Sequence, residues 1–420
     1  MYFKKIYLPS YLLLFYVVDY VFPQVFDYVM KLLFDANSYH GLVKSILIAL
    51  LPLALYESRI FTNQCKYVER TLLPFFIAFL YAQLMYFSSD APIKVISNIA
   101  IYFFLSKYAN GYIGNHFCWC IKMITFFACM PVVFYCVVNH SLYYYRDSIF
   151  IEKQTMSVLL MLSYVFCLLD VFFSQKKRMI NFGLFLFFIG INLFVIQSKS
   201  SLFALAVSAI VLYFMKDSVR RWIKKRIGYL LGGYVIVMLL FPSVALPDDI
   251  RFGVNRITGT EIFSTNYTRR ESRMELTYTI RDEVRALCFK AFRQNPILGI
   301  GIGNFATYNK YSNSKISFLC EPESAWLSII TEGGALYGLC MVLFFALNIY
   351  YTYKWTREDE SDIYACRALL LNICFCIMFV FNDFMDSLFW MSSGITFGAA
   401  CYSSQMRMCS SDVNTVFAKQ

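Results

Sequence analysis

Apolar residues gather in long blocks along almost the whole chain, and few charged residues interrupt them. Most blocks approach the length of about 20 residues that a helix needs to cross a bilayer. Inside a bilayer each segment must satisfy its own backbone groups, so such blocks predict helices. We predict an all-α, polytopic membrane protein with about twelve transmembrane helices, near residues 7–26, 41–57, 71–87, 92–106, 117–139, 155–174, 179–197, 201–215, 227–246, 325–353, 363–382 and 387–404.

A long polar segment, residues 247–322, separates the ninth and tenth predicted helices. A connection of this length is usually functional. Basic residues concentrate in the other, shorter loops of one membrane side, which assigns those loops and both termini to the cytoplasm. The chain then divides into nine helices (1–246), a large outer-face loop that contains helices (247–322), and three helices with a cytoplasmic tail (323–420).

Composition supports this division and narrows the function classes. The chain is 59% hydrophobic and 15% charged, whereas soluble domains are about 45–50% apolar and about 25% charged. Its net charge of +11 suits cytoplasmic loops beside anionic lipid. No basic segment interleaved with aromatic residues forms a soluble module, so we do not expect nucleic acid as a partner.

The polar loop contains a predicted helix over residues 274–292, where apolar residues recur at helical spacing. Arg281 and Arg285 lie four residues apart and share one face, with Arg273 two turns earlier, close to that face. One interpretation is a solvated face on which Arg285 pairs with Asp282. The other is an arginine clamp for phosphate, because guanidinium groups match anionic oxygens with paired donors.

A glycine-rich stretch, "NPILGIGIGNF", follows this helix at residues 295–305. Pro296 ends the helix, and Gly299, Gly301 and Gly303 allow backbone angles that other residues disfavour. No strand precedes the glycines, so a dinucleotide site is not supported. We predict a tight turn that links the arginine helix to the segment presenting Glu323.

Glu323 lies at the predicted start of the tenth helix, directly after Pro322. Its carboxylate could offset the helix dipole, or it could serve as a general base at the mouth of a membrane site. Glu332 lies deeper and should face the protein interior, because a carboxylate is costly in lipid. Gly334 and Gly338 predict a close contact with another helix.

Further charged residues flank the predicted helices. Lys199 falls in the outer turn between the seventh and eighth helices, where it could snorkel to the surface or meet a lipid phosphate. Asp383 and Asp386 fall near the outer side, where carboxylates beside apolar helices are often functional, whereas Asp170 is expected to be structural on the inner side. Asp248-Asp249 could bind a metal, although aspartates after proline are usually turn residues.

Taken together, these segments resemble the O-antigen polymerase and O-antigen ligase superfamily. The family pattern has Ser-Arg or Ser-Lys opening a helix, then an outer-loop arginine about fifteen residues before Pro-x-x-Gly-x-Gly-x-Gly-x-Phe, then Glu-x-Gly within a helix. Here "SKSSLFAL" contains Lys199, Arg281 lies fifteen residues before Pro296, and "ESAWLSIITEGG" ends with the Glu-x-Gly segment. Family ligases carry a histidine nine residues before the glutamate, where this chain has Glu323.

The resemblance implies a multi-pass glycosyltransferase, GT-C-like and metal-independent, in the bacterial cytoplasmic (inner) membrane. Its substrate would be an oligosaccharide on undecaprenyl pyrophosphate, destined for O antigen, capsule or exopolysaccharide. We expect Glu323 and Arg281 as catalytic residues, and Lys199, Arg285 and Arg273 to bind pyrophosphate, with no cofactor or metal. Asp383 and Asp386 are candidates for binding sugar hydroxyls. A chain-length regulator is an expected partner. The missing histidine favours a polymerase, while a ligase that uses the lipid A core and a lipid-glycan flippase remain alternatives.

Overall fold

The computed structural model is all-α throughout the part of the chain that it describes. That part comprises residues 71–79, 91–138, 153–173, 178–196, 198–217, 219–221, 224, 268–312, 322, 324–381 and 387–417. The helices are α1 (71–79), α2 (Ala91–Tyr108), α3 (Gly111–Val138), α4 (Lys153–Phe173), α5 (Arg178–Ile191), a π-helical turn (Asn192–Ile196), α6 (Lys199–Met215), α7 (Thr268–Gln294), α8 (Phe305–Tyr311), α9 (Ala325–Glu358), α10 (Ile363–Phe381) and α11 (Ser387–Phe417).

The hydropathy pattern correctly predicted part of the set of membrane helices. Among the described residues, four segments are long and apolar enough to cross a membrane, namely Gly111–Phe134, Thr155–Phe173, Ala325–Glu358 and Ile363–Phe381. Two shorter apolar helices, α5 and α6, follow α4 and are joined by the π-helical turn. The predicted helices near 7–26, 41–57 and 227–246 lie outside the described residues. The chain is thus an all-α membrane protein, while the total of twelve helices stays a prediction.

Close helix packing forms the core of the bundle. A Cβ atom added to Gly398 of α11 would lie 2.7 Å from the carbonyl oxygen of Leu105 in α2, so only glycine lets the two helices come this close. Trp390 is fully buried, with its ring centroid 4.9 Å from Phe389 and 5.2 Å from Phe344. Tyr102 satisfies its buried hydroxyl by donating to Asn348 Oδ1 at 2.7 Å. Such tight contacts suit a membrane protein, where dispersion replaces much of the hydrophobic driving force.

The bundle has two chemically different ends. At one end, which we call the turn end, the hydroxyl of Ser324 before α9 donates to the carbonyl of Phe379 at the end of α10. Phe203, one turn into α6, contacts Phe381 at the same end, with ring centroids 6.1 Å apart. The starts of α6 and α9 therefore gather around the end of α10. Lys199, the first residue of α6, belongs to this end.

The opposite end, the charged end, contains a buried ionic cluster. Asp170 of α4 accepts from Lys122 of α3 at 2.7 Å and from Arg367 of α10 at 2.6 Å. Lys122 also donates to Asn181 of α5 at 2.8 Å, and Arg367 donates to Asn115 of α3 at 2.6 Å. Each charge thus has a partner, as buried charges in a membrane require. Asp170 joins three helices through this cluster, which fits the structural role expected for it.

Candidate functional site

The arginine helix α7 is held to the membrane helices by one apolar face. Val284, Leu287 and Cys288 form this face and pack in a cluster with Phe305 of α8, against which Leu327 of α9 also packs. The helix extends from Thr268 to Gln294, longer than the predicted 274–292, and it ends directly before Asn295-Pro296. Arg281 and Arg285 lie outside the buried face and are both exposed.

The glycine-rich stretch after α7 forms a turn, as predicted. Gly299, Gly301 and Gly303 have φ angles of 69°, 92° and 79°. Left-handed backbone of this kind costs an ordinary L-residue roughly 1–2 kcal/mol. The three glycines in this stretch are therefore explained by three positive φ angles and do not indicate a nucleotide-binding loop.

The turn docks onto a break in helix α9. Gly334 has φ 64° and ψ −165° inside this helix. Around the break, the amides of Ile300 and Gly301 donate to the carbonyls of Thr331 and Glu332 at 3.0 and 2.8 Å. In return, the amides of Ala335 and Leu336 donate to the carbonyls of Pro296 and Ile297 at 2.8 and 3.1 Å. The turn thus provides hydrogen bonds at a helix break, as broken membrane helices require.

This docking corrects the expectation for Gly334 and Gly338. Gly334 does allow a close approach, but its partner is the backbone of the turn and not another helix. Gly338 has only the side chain of Ile330, within its own helix, at 3.9 Å from an added Cβ atom. The double glycine Gly333-Gly334 was the local signal for a break, and the packing interpretation overlooked it.

Glu332 faces the protein interior, as expected, and ties the turn to the short helix α8. Its Oε1 atom accepts a hydrogen bond from the backbone amide of Phe305 at 3.2 Å, at the start of α8. Its Oε2 atom accepts from the hydroxyl of Ser328 at 3.5 Å. A carboxylate at a helix N-terminus is favourable because it meets unpaired amides and the positive end of the helix dipole. This contact was not predicted from the sequence.

A second hydrogen bond fixes α8 against α7. The hydroxyl of Tyr308 donates to Gln294 Oε1 at 2.8 Å. Burial raises the pKa of Tyr308, so the phenol remains a neutral donor. Hydrogen bonds therefore connect the end of α7 to α8, the glycine turn to α9, and α8 to Glu332 of α9.

The arginines predicted to bind phosphate lie on the exposed part of this unit. Arg285 Nη1 lies 3.3 Å from Asp282 Oδ1, so the ion pair of the solvated-face interpretation is present. Both side chains are more than half exposed, and an exposed pair contributes only about 0–1 kcal/mol. A more highly charged anion would therefore displace Asp282 from Arg285 at little cost. Arg273 lies in α7 two turns before Arg281.

Lys199 begins α6 at the turn end of the bundle and is exposed. Ser198 is the N-cap of α6, and its hydroxyl accepts from the amide of Ser201. Just before it, the π-helical turn contains the fully buried Asn192. No motif or spacing in the sequence predicted a role for Asn192, although an asparagine within an apolar block is itself a signal.

Several candidate residues lie outside the described residues, namely Glu323, Asp383, Asp386, Asp248 and Asp249. Their roles stay predictions. Within the described ranges, no group of three or more His, Cys, Asp or Glu side chains is arranged to hold a metal ion.

The fold and this site define a class of membrane protein. In this class a glycine turn docks a cationic helix, here α7, onto a broken membrane helix, here α9. Residues 184–342 match the family model described as O-Antigen ligase. The matched segment extends from α5 to α9 and includes Lys199, Arg281, the glycine turn and Glu332. The match confirms the resemblance to the O-antigen polymerase and ligase superfamily over this segment of the chain. No curated protein matches the chain.

Proposed function

We propose that the protein polymerises oligosaccharide repeat units carried on undecaprenyl pyrophosphate at the outer face of the bacterial cytoplasmic membrane. One observation carries the proposal: the turn that follows the arginine helix is hydrogen-bonded to the break in α9, inside the segment that matches the O-antigen ligase family. This docking holds α7 against the first turns of α9, and Glu323 lies two residues before that helix in the sequence. A cationic helix and a carboxylate are the two components that glycan transfer from a lipid pyrophosphate needs.

In the proposed reaction, the hydroxyl at the non-reducing end of a new lipid-linked unit attacks the anomeric carbon of the growing glycan. The bond from that carbon to the pyrophosphate oxygen breaks, and the new glycosidic bond forms. Arg281 and Lys199, with Arg285 and Arg273, stabilise the negative charge on the departing pyrophosphate, as cations positioned where charge develops in the transition state do. These cations take the role that a metal ion has in other glycosyltransferases, so the proposed reaction needs none.

We propose that Glu323 acts as the general base that accepts the proton of the attacking hydroxyl, or that it holds the acceptor in place. Asp383 and Asp386 are proposed to bind sugar hydroxyls near the same end of the bundle. Residues 247–322 would then form the periplasmic part of the enzyme, between membrane helices on either side. A chain-length regulator is a proposed partner of such a polymerase.

The family description itself favours a second candidate function, an O-antigen ligase that transfers the glycan to the lipid A core. Against it stands Glu323 at the position where family ligases carry histidine. Reconstitution of the purified protein with a lipid-linked repeat unit separates the two. A polymerase produces a ladder of longer glycans from this substrate alone. A ligase produces no ladder and transfers glycan only after lipid A core is added.

The same assay tests the proposed arginine. We expect Arg281→Ala to lower turnover by about 100-fold, because removal of one transition-state charge contact typically costs about 2.7–4 kcal/mol. Lys290→Ala is the matched control, since Lys290 is exposed on the same helix about two and a half turns further along, on the opposite side. Equal ladders from Arg281→Ala and the wild type would refute the assignment.

A further inference from the structure

We infer that Asn192 is a positioning residue for Lys199, holding the turn that presents the Lys199 ammonium to a lipid pyrophosphate. The inference rests on the proposed function and deepens it. Asn192 is fully buried in the π-helical turn that follows the apolar helix α5, where an amide must hydrogen-bond to be tolerated. Asn192 is not one of the residues proposed to contact the substrate. Any effect of Asn192 on binding must therefore act through the residues to which it is hydrogen-bonded.

The amide of Asn192 bridges both sides of the turn between α5 and α6. Its Oδ1 atom accepts from the backbone amide of Ser198 at 2.9 Å. Its Nδ2 atom donates to Ser201 Oγ at 2.7 Å. Lys199 lies between these two contacts in the chain. One side chain therefore fixes the backbone on both sides of the lysine.

The serines around Lys199 complete a closed network. Ser201 Oγ also donates to the carbonyl of Ser198 at 3.2 Å, and the hydroxyls of Ser198 and Ser200 lie 3.2 Å apart. These three serines are buried, whereas Lys199 between them is exposed. The motif "SKSS" thus places one cation outward and three hydroxyls inward. Asn192 binds the hydroxyl of Ser201 and the backbone amide of Ser198 within this network.

The π-helical turn is what brings Asn192 to this place. Such turns are rare and are frequent at functional sites, because they shift the following residues around the helix. The turn begins at Asn192 and is anchored against α4 by the buried Tyr164, whose hydroxyl donates to the carbonyl of Phe188 at 3.2 Å. This bond connects α5 to α4 one turn before Asn192.

A lysine side chain has many rotamers, so holding its ammonium at one place costs entropy. A fixed backbone limits the region that the ammonium can reach. If Asn192 were apolar, the amide of Ser198 and the hydroxyl of Ser201 would lose their buried partner. The turn would rearrange to recover hydrogen bonds. Lys199 would remain in the chain, but it would no longer be fixed at the phosphate.

The experiment measures the dissociation constant of farnesyl pyrophosphate for the detergent-solubilised full chain by calorimetry. Lys199→Ala should weaken binding by about tenfold, the usual scale for one charge-assisted contact. Asn192→Leu, of similar size, should weaken it nearly as much. The double variant Asn192→Leu/Lys199→Ala should be no weaker than Lys199→Ala alone, because Asn192 acts through the lysine.

Asn348→Leu is the matched control. Asn348 is equally buried in a membrane helix and also bonds another helix, through Tyr102. It should lower thermal stability without changing the dissociation constant. If Asn192→Leu does not fold, Ser201→Ala removes one partner of the same amide and should weaken binding in the same direction by a smaller factor.

The inference would be overturned if Lys199→Ala weakens binding but Asn192→Leu binds with the affinity of the wild type. If only Ser201→Ala folds, wild-type affinity in that variant would have the same meaning. Additive losses in the double variant would also overturn it. If Lys199→Ala itself bound normally, both the inference and the phosphate role of Lys199 would fail. The ladder assay would still test polymerase activity independently.

Discussion

Gly299 and Gly334 approach each other so closely that neither position has room for a side chain. A Cβ atom on Gly334 would lie 2.5 Å from the backbone nitrogen of Gly299, and one on Gly299 would lie 2.6 Å from the nitrogen of Gly334. Both residues also have left-handed φ angles. The turn after the arginine helix and the break in α9 thus depend on each other, and neither glycine can be understood from its own segment.

Replacement of either glycine should therefore separate the turn from α9. We expect Gly334→Ala and Gly299→Ala each to destabilise the protein by at least about 2 kcal/mol, since the left-handed backbone alone costs roughly 1–2 kcal/mol. The obstructing atoms are backbone atoms, which cannot move aside. Thermal unfolding of the detergent-solubilised protein measures the effect.

Two other glycines serve as controls for this prediction. Gly338 lies one turn further along α9, and Gly190 of α5 has nothing within 4 Å of an added Cβ atom. Alanine at either position should be neutral or stabilising, by up to about 1 kcal/mol, because alanine is the better helix former. Equal melting temperatures for Gly334→Ala and Gly338→Ala would show that the turn does not dock in this way.

Substitutions of Glu332 can distinguish a structural role of its carboxylate from a catalytic one. If its role is to accept from Phe305 and Ser328, then Glu332→Gln keeps an acceptor for the amide and a donor for the hydroxyl. We expect Glu332→Gln to retain turnover within a few-fold in the ladder assay. Glu332→Leu should destabilise the protein by about 1–3 kcal/mol, because the amide of Phe305 loses its partner.

A chemical role would give the opposite ranking. A general base cannot be replaced by an amide, so loss of a catalytic carboxylate would lower turnover by about 100-fold or more in Glu332→Gln. Such a loss, with an unchanged melting temperature, would move the proposed base from Glu323 to Glu332.

Most of the described helices could be predicted because a bilayer imposes a single simple pattern. The predicted helix over 363–382 corresponds to α10 (Ile363–Phe381), and 155–174 corresponds to α4 (Lys153–Phe173). The end of α9 was predicted too early, at 353, because its last turn is polar. Lys354 and Glu358 form an ion pair at 3.9 Å across one helical turn, which is compatible with a helix that continues beyond the apolar block.

The candidate site could be predicted only in part. Local sequence indicated the turn at Gly299, Gly301 and Gly303, because a positive φ is a property of one residue. The partner of the turn lies about thirty residues later in the chain, and no periodic pattern encodes a contact between two backbones. For the same reason the acceptor role of Glu332 was missed, although its inward orientation followed from the cost of a charge in lipid.

The ionic cluster at the charged end gives a third prediction. Asp170→Asn should destabilise the protein by about 3–5 kcal/mol, because Lys122 and Arg367 would remain buried without their carboxylate. The measurement is again thermal unfolding in detergent. Asn keeps the shape of the side chain, so the loss reports charge rather than packing.

The compensating variant shows whether the cluster is structural. Asp170→Asn/Lys122→Met removes one excess positive charge and should recover part of the lost stability, because Arg367 keeps its bond to Asn115. Substrate affinity of both variants should equal that of the wild type. Arg367 lies twelve residues before Phe379 on α10, which places it about 18 Å from the turn end. Normal folding with abolished turnover would instead require the cluster to act on the substrate, which its distance from Lys199 and the glycine turn argues against.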